Sequence, residues 1–326
     1  MAFVLRRLLH GGFVLLVMSL LVFVAVYAIG NPVDLLVDPN ADAADKARTM
    51  AALGLDQPLF TQYLHFLKGA LTGDLGHSFI HGTPAVTLIL ERMPATLELA
   101  VTALLLALVV GLPLGLWAGA RKGWPAKVVE GIALLGFSLP TFWVGLALIL
   151  VFAVVLGWLP PGGRGPTIEI LGIDLSCLSL EGWRYLLLPA ATLALFKTSL
   201  LIRLTQQGTV RALAGDAVRF ARSRGLSEAR IVAVHVGKPL LTSLVTVVGM
   251  EFGSVIAFAV VTETIFGWPG MGKLLIESIN TLDRPVIVAY LLVTTTLFVI
   301  LNLLADLACA ALDPRLRLGA EETGHG

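Results

Sequence analysis

Leu97-Glu-Leu-Ala-Val-Thr-Ala-Leu-Leu-Leu-Ala-Leu-Val-Val-Gly-Leu-Pro-Leu-Gly-Leu-Trp-Ala-Gly119 carries one acid and no base in 23 residues. At 1.5 Å per residue, a helix of this length crosses roughly 30 Å of hydrocarbon. Five further stretches read the same way, at residues 8–29, 131–156, 185–202, 240–261 and 286–311. Across the chain 57% of residues are hydrophobic and 14% are charged. A water-soluble domain carries roughly 25% charged residues, because its surface must be wetted. Lipid is therefore the solvent for most of this chain. The expected fold class is an all-α integral membrane protein with six transmembrane helices.

The first stretch also has features of a secretory leader. Arg6 and Arg7 make a basic start, and Val26-Tyr27-Ala28 resembles a cleavage site. Its apolar run exceeds the roughly 7–15 residues of a leader core, which favours a retained helix. Lysine and arginine then orient the chain. With the N-terminus in the cytoplasm, the inside segments hold fourteen of them and the longer outside segments eight. Both termini are read as cytoplasmic. Residues 1–30 form the first helix and 31–94 an extracytoplasmic subdomain. Residues 95–311 form a five-helix core with a cytoplasmic loop at 205–239, and 312–326 a cytoplasmic tail.

Within the subdomain, residues 43–53 and 58–71 read as amphipathic helices, the second with Asp56 and Pro58 as start signals. The loop at 158–184, with Pro160-Pro161-Gly162-Gly163, reads as irregular.

The 205–239 loop is too polar for lipid and dense in arginine. Residues 216–224 form a helix that stops at Gly225, and Ser227 restarts one as N-cap. A basic loop resting on anionic lipid heads would explain the charge alone. Two short helices broken at a glycine are more structure than that attraction requires, so a protein docking knob is expected.

Gly267-Trp268-Pro269-Gly270-Met271-Gly272-Lys273 has the spacing of a phosphate-binding loop as far as the lysine. Leu274 then stands where a Mg²⁺-binding hydroxyl is needed, so an outer re-entrant turn is expected, with Trp268, Pro269 and Gly270 as gate residues. Gly111, Gly115 and Gly119, and Gly249 with Gly253, are small-residue faces that allow close helix approach. Charges inside spans are costly and default to function. Glu98 and Glu263 lie near outer span ends, where a carboxylate reaches water. Lys197 and Glu251 lie deeper, with a translocation path as their expected setting; whether they pair is open. Cys177 falls outside and Cys309 within a span, which makes a disulfide framework unexpected. No catalytic grouping or metal-ligand spacing stands out.

The 216–230 segment, Asp-Ala-Val-Arg-Phe-Ala-Arg-Ser-Arg-Gly-Leu-Ser-Glu-Ala-Arg, resembles the EAA loop of bacterial ABC importer permeases. Leu5-Arg6-Arg7-Leu8, Leu53-Gly54-Leu55-Asp56-Gln57-Pro58-Leu59, Glu91-Arg92-Met93-Pro94-Ala95-Thr96-Leu97-Glu98, Phe266-Gly267-Trp268-Pro269-Gly270 and Leu312-Asp313-Pro314-Arg315 extend the likeness over the chain. Together they are similar to the first permease of the dipeptide/oligopeptide/nickel branch. Arg219 stands at the general pattern's glutamate, and Lys238-Pro239 near its closing proline. Ile29-Gly30-Asn31-Pro32 replaces a common Pro-Gly-Asp-Pro, and Lys197 is unusual in its span.

The resemblance implies a type I importer fold and ATP-driven import of peptides or a similar small solute by alternating access. It implies a second permease subunit, two ATP-binding subunits that use ATP and Mg²⁺, and an extracytoplasmic substrate-binding protein. This chain would bind no cofactor, metal or nucleic acid and would have no ATPase site of its own. Asp216, Arg219, Ala221, Gly225 and Ser227 would couple it to the ATPase. Alternatives of another class are an ion-gradient-driven secondary carrier acting alone, whose inverted halves are not evident, and a membrane receptor or scaffold.

Overall fold

A computed structural model describes residues 2–28, 48, 51, 56–121 and 123–312. The expected helix at 43–53, apart from Arg48 and Ala51, and the tail from 313 lie outside the described residues. Five described helices are long and apolar enough to cross a membrane, and a sixth span forms if one bent pair counts as one.

Helix α1 spans Ala2–Ala28 and α2 spans Leu59–Thr72, close to the expected 58–71 helix. Helix α3, Ala85–Ala120, contains the quoted opening stretch. Helix α4 is Trp124–Ser138 and α5 is Thr141–Leu148, continued by a π-helical segment at Ile149–Val155. The expected single span at 131–156 is instead two segments bent by 106°. Pro140 is the cause. It cannot donate a backbone hydrogen bond, and its ring forces the residue before it out of the helical region. Leu139 accordingly sits at φ −84°, ψ 128°.

The loop expected to be irregular holds a hairpin, β1 (Ile168–Ile170) and β2 (Ile173–Leu175), with Ile168 opposite Leu175. Leu171 and Gly172 both take positive φ, 55° and 78°, as a tight two-residue turn between twisted strands requires. Helix α6, Leu180–Ala214, starts at Ser179, whose hydroxyl accepts from Gly182 N–H at 3.3 Å. It continues well past the expected 185–202 span. Helix α7 is Asp216–Ser223, and a turn at Glu228–Arg230 leads through a π-helical Ile231–Gly237 into α8, Lys238–Phe266. Helices α9 (Met271–Asn280) and α10 (Arg284–Leu312) complete the described chain.

The chain forms two compact units. The first comprises residues 1–91 and 277–299. Here Phe23 of α1 meets Tyr63 edge-on at 5.3 Å, Tyr63 and Ser19 share a 2.9 Å hydrogen bond, and Val22 packs with Val288 and Leu292. The buried carboxylate of Asp283 accepts from the Ser78 hydroxyl and from Phe79 N–H at 3.1 Å, which pins the loop after α2.

The second unit comprises residues 92–276 and 300–326. The glycine face of α3 lies directly on α6: a Cβ at Gly115 would stand 2.7 Å from the Ile202 carbonyl oxygen, and one at Gly119 2.7 Å from that of Gln206. Gly249 of α8 meets Ala305 in the same manner, leaving no room for a Cβ against the alanine methyl. Without a strong hydrophobic force between helices in lipid, such backbone approach is how spans gain dispersion contact.

Candidate functional site

Three polar assemblies stand out in the second unit. The first is the knob after α6. Gly225 ends α7 at φ 75°, a conformation that costs an L-residue roughly 1–2 kcal/mol and glycine little. Its N–H donates to Arg222 O at 2.9 Å, and Leu226 N–H donates to Ala221 O at 3.2 Å, so the chain reverses tightly. Val218, Ala221, Ile231 and Val236 form a small buried core, flanked by Leu116, Ala212, Leu213 and Leu226. Ala221 thus faces inward. Arg222 and Glu228 clasp across the turn in a bidentate pair at 2.7 and 3.1 Å. That pairing, chiefly the hydrogen bond from Arg222, holds the Glu228 carboxyl below its ordinary value. Arg219 reaches back to Asp216 at 3.3 Å, with both side chains exposed. Ser227 occupies the N-cap position but makes no side-chain cap bond. Sequence reasoning missed Phe220, 61% exposed with Arg224 stacked over it at 4.9 Å. Its signal was an aromatic residue on the polar side of a short amphipathic helix.

The second assembly joins the two deep charges. Lys197 of α6 and Glu251 of α8 form an ion pair, which the sequence left open. Ser254 completes it, accepting from Lys197 Nζ at 2.6 Å and donating to Glu251 Oε2 at 2.9 Å. Phe196 and Phe258 place their rings 5.3 and 5.8 Å from the ammonium.

The third assembly surrounds the 267–272 turn. Glu263 is fully buried, and so is Trp268, whose indole N–H donates to Ala95 O at 2.9 Å. The Glu263 carboxylate accepts from the Thr96 hydroxyl at 2.7 Å and from Lys273 N–H at 3.0 Å. Thr96 in turn accepts from Met271 N–H at 2.9 Å. The glycines of the phosphate-loop-like motif therefore wrap an internal carboxylate: a Cβ at Gly270 would collide with the carboxyl group of Glu263. Pro269 is half-buried between Trp268 and Gly270.

Glu98 is 7% exposed and accepts from Arg164 at 2.8 and 3.2 Å and from Cys177 N–H at 2.7 Å. Arg164 lies 5.6 Å from the centroid of the Trp268 ring. The expectation that Glu98 and Glu263 reach water is corrected: the loop before α6 covers Glu98 through Arg164 and Cys177 and is anchored by Gly163 N–H on Phe266 O at 2.7 Å, while Thr96 and the 270–273 turn enclose Glu263. Burial and the Glu98 carboxylate push the Cys177 thiol above its usual range.

Residues 111–318 match the family described as binding-protein-dependent transport system inner membrane component, and residues 1–100 match its N-terminal companion. The glutathione transport system permease protein GsiC of Escherichia coli (strain K12) is 35% identical over 317 residues, covering 97% of this chain and 98% of that protein. Its counterpart in Salmonella typhi gives the same values, 35% identity over 97% and 98%. The inward-facing MetNI methionine ABC transporter shares the fold at 15% identity, with a TM-score of 0.54 over 69% of this chain and 96% of that one. These matches leave no place for a carrier that works alone: the chain belongs to the binding-protein-dependent transport system inner membrane component family and is a multi-pass inner-membrane permease subunit of an ABC importer, with the type I importer fold.

Proposed function

We propose that this chain forms one side of a path for peptide-type solutes and takes its work from a separate ATPase through the knob at 216–230. The glutathione permeases at 35% identity make a short peptide such as glutathione the first solute to test. One observation carries the coupling: a helix–glycine–helix unit with its own core, clasped internally by Arg222 and Glu228, that presents Arg219, Phe220 and Arg224 to a partner. A knob that is stiff within itself transmits motion, whereas a loose basic loop does not. Ala221 and Gly225 shape it from within and Asp216 orients Arg219. Ser227 contributes backbone only.

The assembly completes with a second permease, two ATP-binding subunits that hold the ATP and Mg²⁺, and an extracytoplasmic binding protein. This chain supplies no ATPase site and binds no cofactor or nucleic acid. Both termini and the knob face the cytoplasm. Trp268, Pro269 and Gly270 form the outer gate, and residues 31–94 form the extracytoplasmic subdomain.

The test is Gly225→Val in the assembled importer. Nothing lies within 4 Å of a Cβ there, so the substitution strains only the backbone turn. Uptake and binding-protein-stimulated ATP hydrolysis should fall together, while assembly of the permease pair persists. Unchanged uptake and unchanged stimulated hydrolysis would remove the docking role.

A further inference from the structure

The Lys197–Glu251–Ser254 cluster is out of keeping with its surroundings. Lys197 lies midway along α6 and Glu251 midway along α8, inside helices long and apolar enough to cross a membrane, where a charge is costly. The ammonium is nearly enclosed, at 6% exposure, but the Glu251 side chain keeps 26%. Glu251, Ser254, Phe258 and Val261 follow one another along one stripe of α8, and the last two are exposed at 59% and 45%. A carboxylate open by a quarter within such a span does not face acyl chains. The stripe it shares must face water or protein. Two phenyl rings lie near the ammonium, while the Glu251 side chain stays a quarter exposed.

We infer that Lys197 and Glu251 form an exchange subsite for a solute that carries both a free carboxylate and a free ammonium group. A charged solute entering the membrane must shed water, and it does so at low cost only where groups of opposite sign replace that water. The resident pair offers both signs within one hydrogen-bonded cluster. The solute carboxylate takes the place of Glu251 on Lys197, and the solute ammonium takes the freed Glu251. Ser254, which bonds to both partners, holds each side chain in place as the pair opens. When the solute leaves, the pair recloses, so neither state strands a bare charge. The cluster rests on α6 and α8, the helices on either side of the knob in sequence, so a movement of the knob acts on both.

This inference rests on the peptide-type reading above. The experiment uses the assembled importer with its binding protein in proteoliposomes. Its probes are trialanine, trialanine amide and N-acetyl-trialanine. The binding protein's own preferences are common to all variants and cancel in the ratio of variant to wild type. Lys197→Met should lower trialanine uptake about tenfold, as expected for one lost charge-assisted contact, and abolish the preference for the free carboxylate alone. Glu251→Gln should abolish the preference for the free amine alone. The double variant, which leaves no unpaired charge, should lose both permease preferences and keep only the discrimination that the binding protein shows in its own affinities, and this guards against a folding effect of either single change. A purely structural pair would change the rates without changing these preferences. Wild-type preferences retained in all variants overturn the inference alone. Uptake of neither glutathione nor any of the probes by wild type overturns the peptide reading and the inference with it.

Discussion

Glu263 shows how a single side chain is used twice. Its carboxylate satisfies the Thr96 hydroxyl and the Lys273 N–H, and its bulk fills the space left by the missing Cβ of Gly270. Glu263→Ala strands both donors in a buried site, at about 1–3 kcal/mol each. Glu263→Gln keeps one acceptor oxygen and should lose about half as much. Thermal inactivation of the purified importer complex should therefore rank wild type above Gln above Ala, and an unchanged midpoint for Ala would exclude the hub role. This role was not legible in sequence. Distance from the end of an apolar run was the only guide there, and it cannot show that the 270–273 turn folds back onto the carboxylate. Lys197 and Glu251 were each legible as misplaced charges, since lipid makes any charge conspicuous. Their pairing was not, because they lie 54 residues apart on two different helices.

At the scale of elements, the spans were legible because an unbroken apolar run of about 20 residues is stable in water only if wholly buried, and a bilayer satisfies it along its full length. The break at Leu139-Pro140 was missed for a physical reason. Hydropathy registers what solvates a segment and is blind to its backbone, whereas the proline acts on the backbone alone. The hairpin at 168–175 escaped because strands of three residues carry no periodic signal. The knob was legible as helix, glycine, helix; its internal clasp was not. That clasp carries a prediction with a definite sign. Glu228 is held below its ordinary carboxylate value of 4.5, so its contribution is present at neutral pH and is lost only as pH falls through that lowered value. Hydrogen exchange at Leu226 and Gly225 in the membrane-embedded protein should accelerate a few-fold in Glu228→Gln at neutral pH. In wild type the same acceleration should appear only below the ordinary carboxylate range. The clasp is exposed to water, so the effect is modest and weakens with salt. Equal exchange in the two proteins would show that the knob's small core alone holds the turn.

At the scale of the whole molecule, the proposed orientation rests on where lysine and arginine lie, and two exposed positions in one compact unit make it measurable. Leu171 is 97% exposed at the hairpin tip, and Phe220 is 61% exposed on the knob. In a background with Cys177 and Cys309 changed to serine, Leu171→Cys should react with a membrane-impermeant maleimide added to intact spheroplasts. Phe220→Cys should react only after the membrane is opened, as the proposed cytoplasmic placement of the knob and both termini requires. Docking adds a second dependence. In opened membranes, co-expression of the cognate ATP-binding subunits should slow the labelling of Phe220→Cys and leave that of Leu171→Cys unchanged, since a partner seated on the knob covers an exposed aromatic first. Labelling of Phe220→Cys in intact cells would invert the assigned topology. Labelling that ignores the ATP-binding subunits would move the docking surface off α7, whatever the topology. The two measurements thus separate the proposed orientation, which rests on the charge rule, from the proposed docking role, which rests on the shape of the knob.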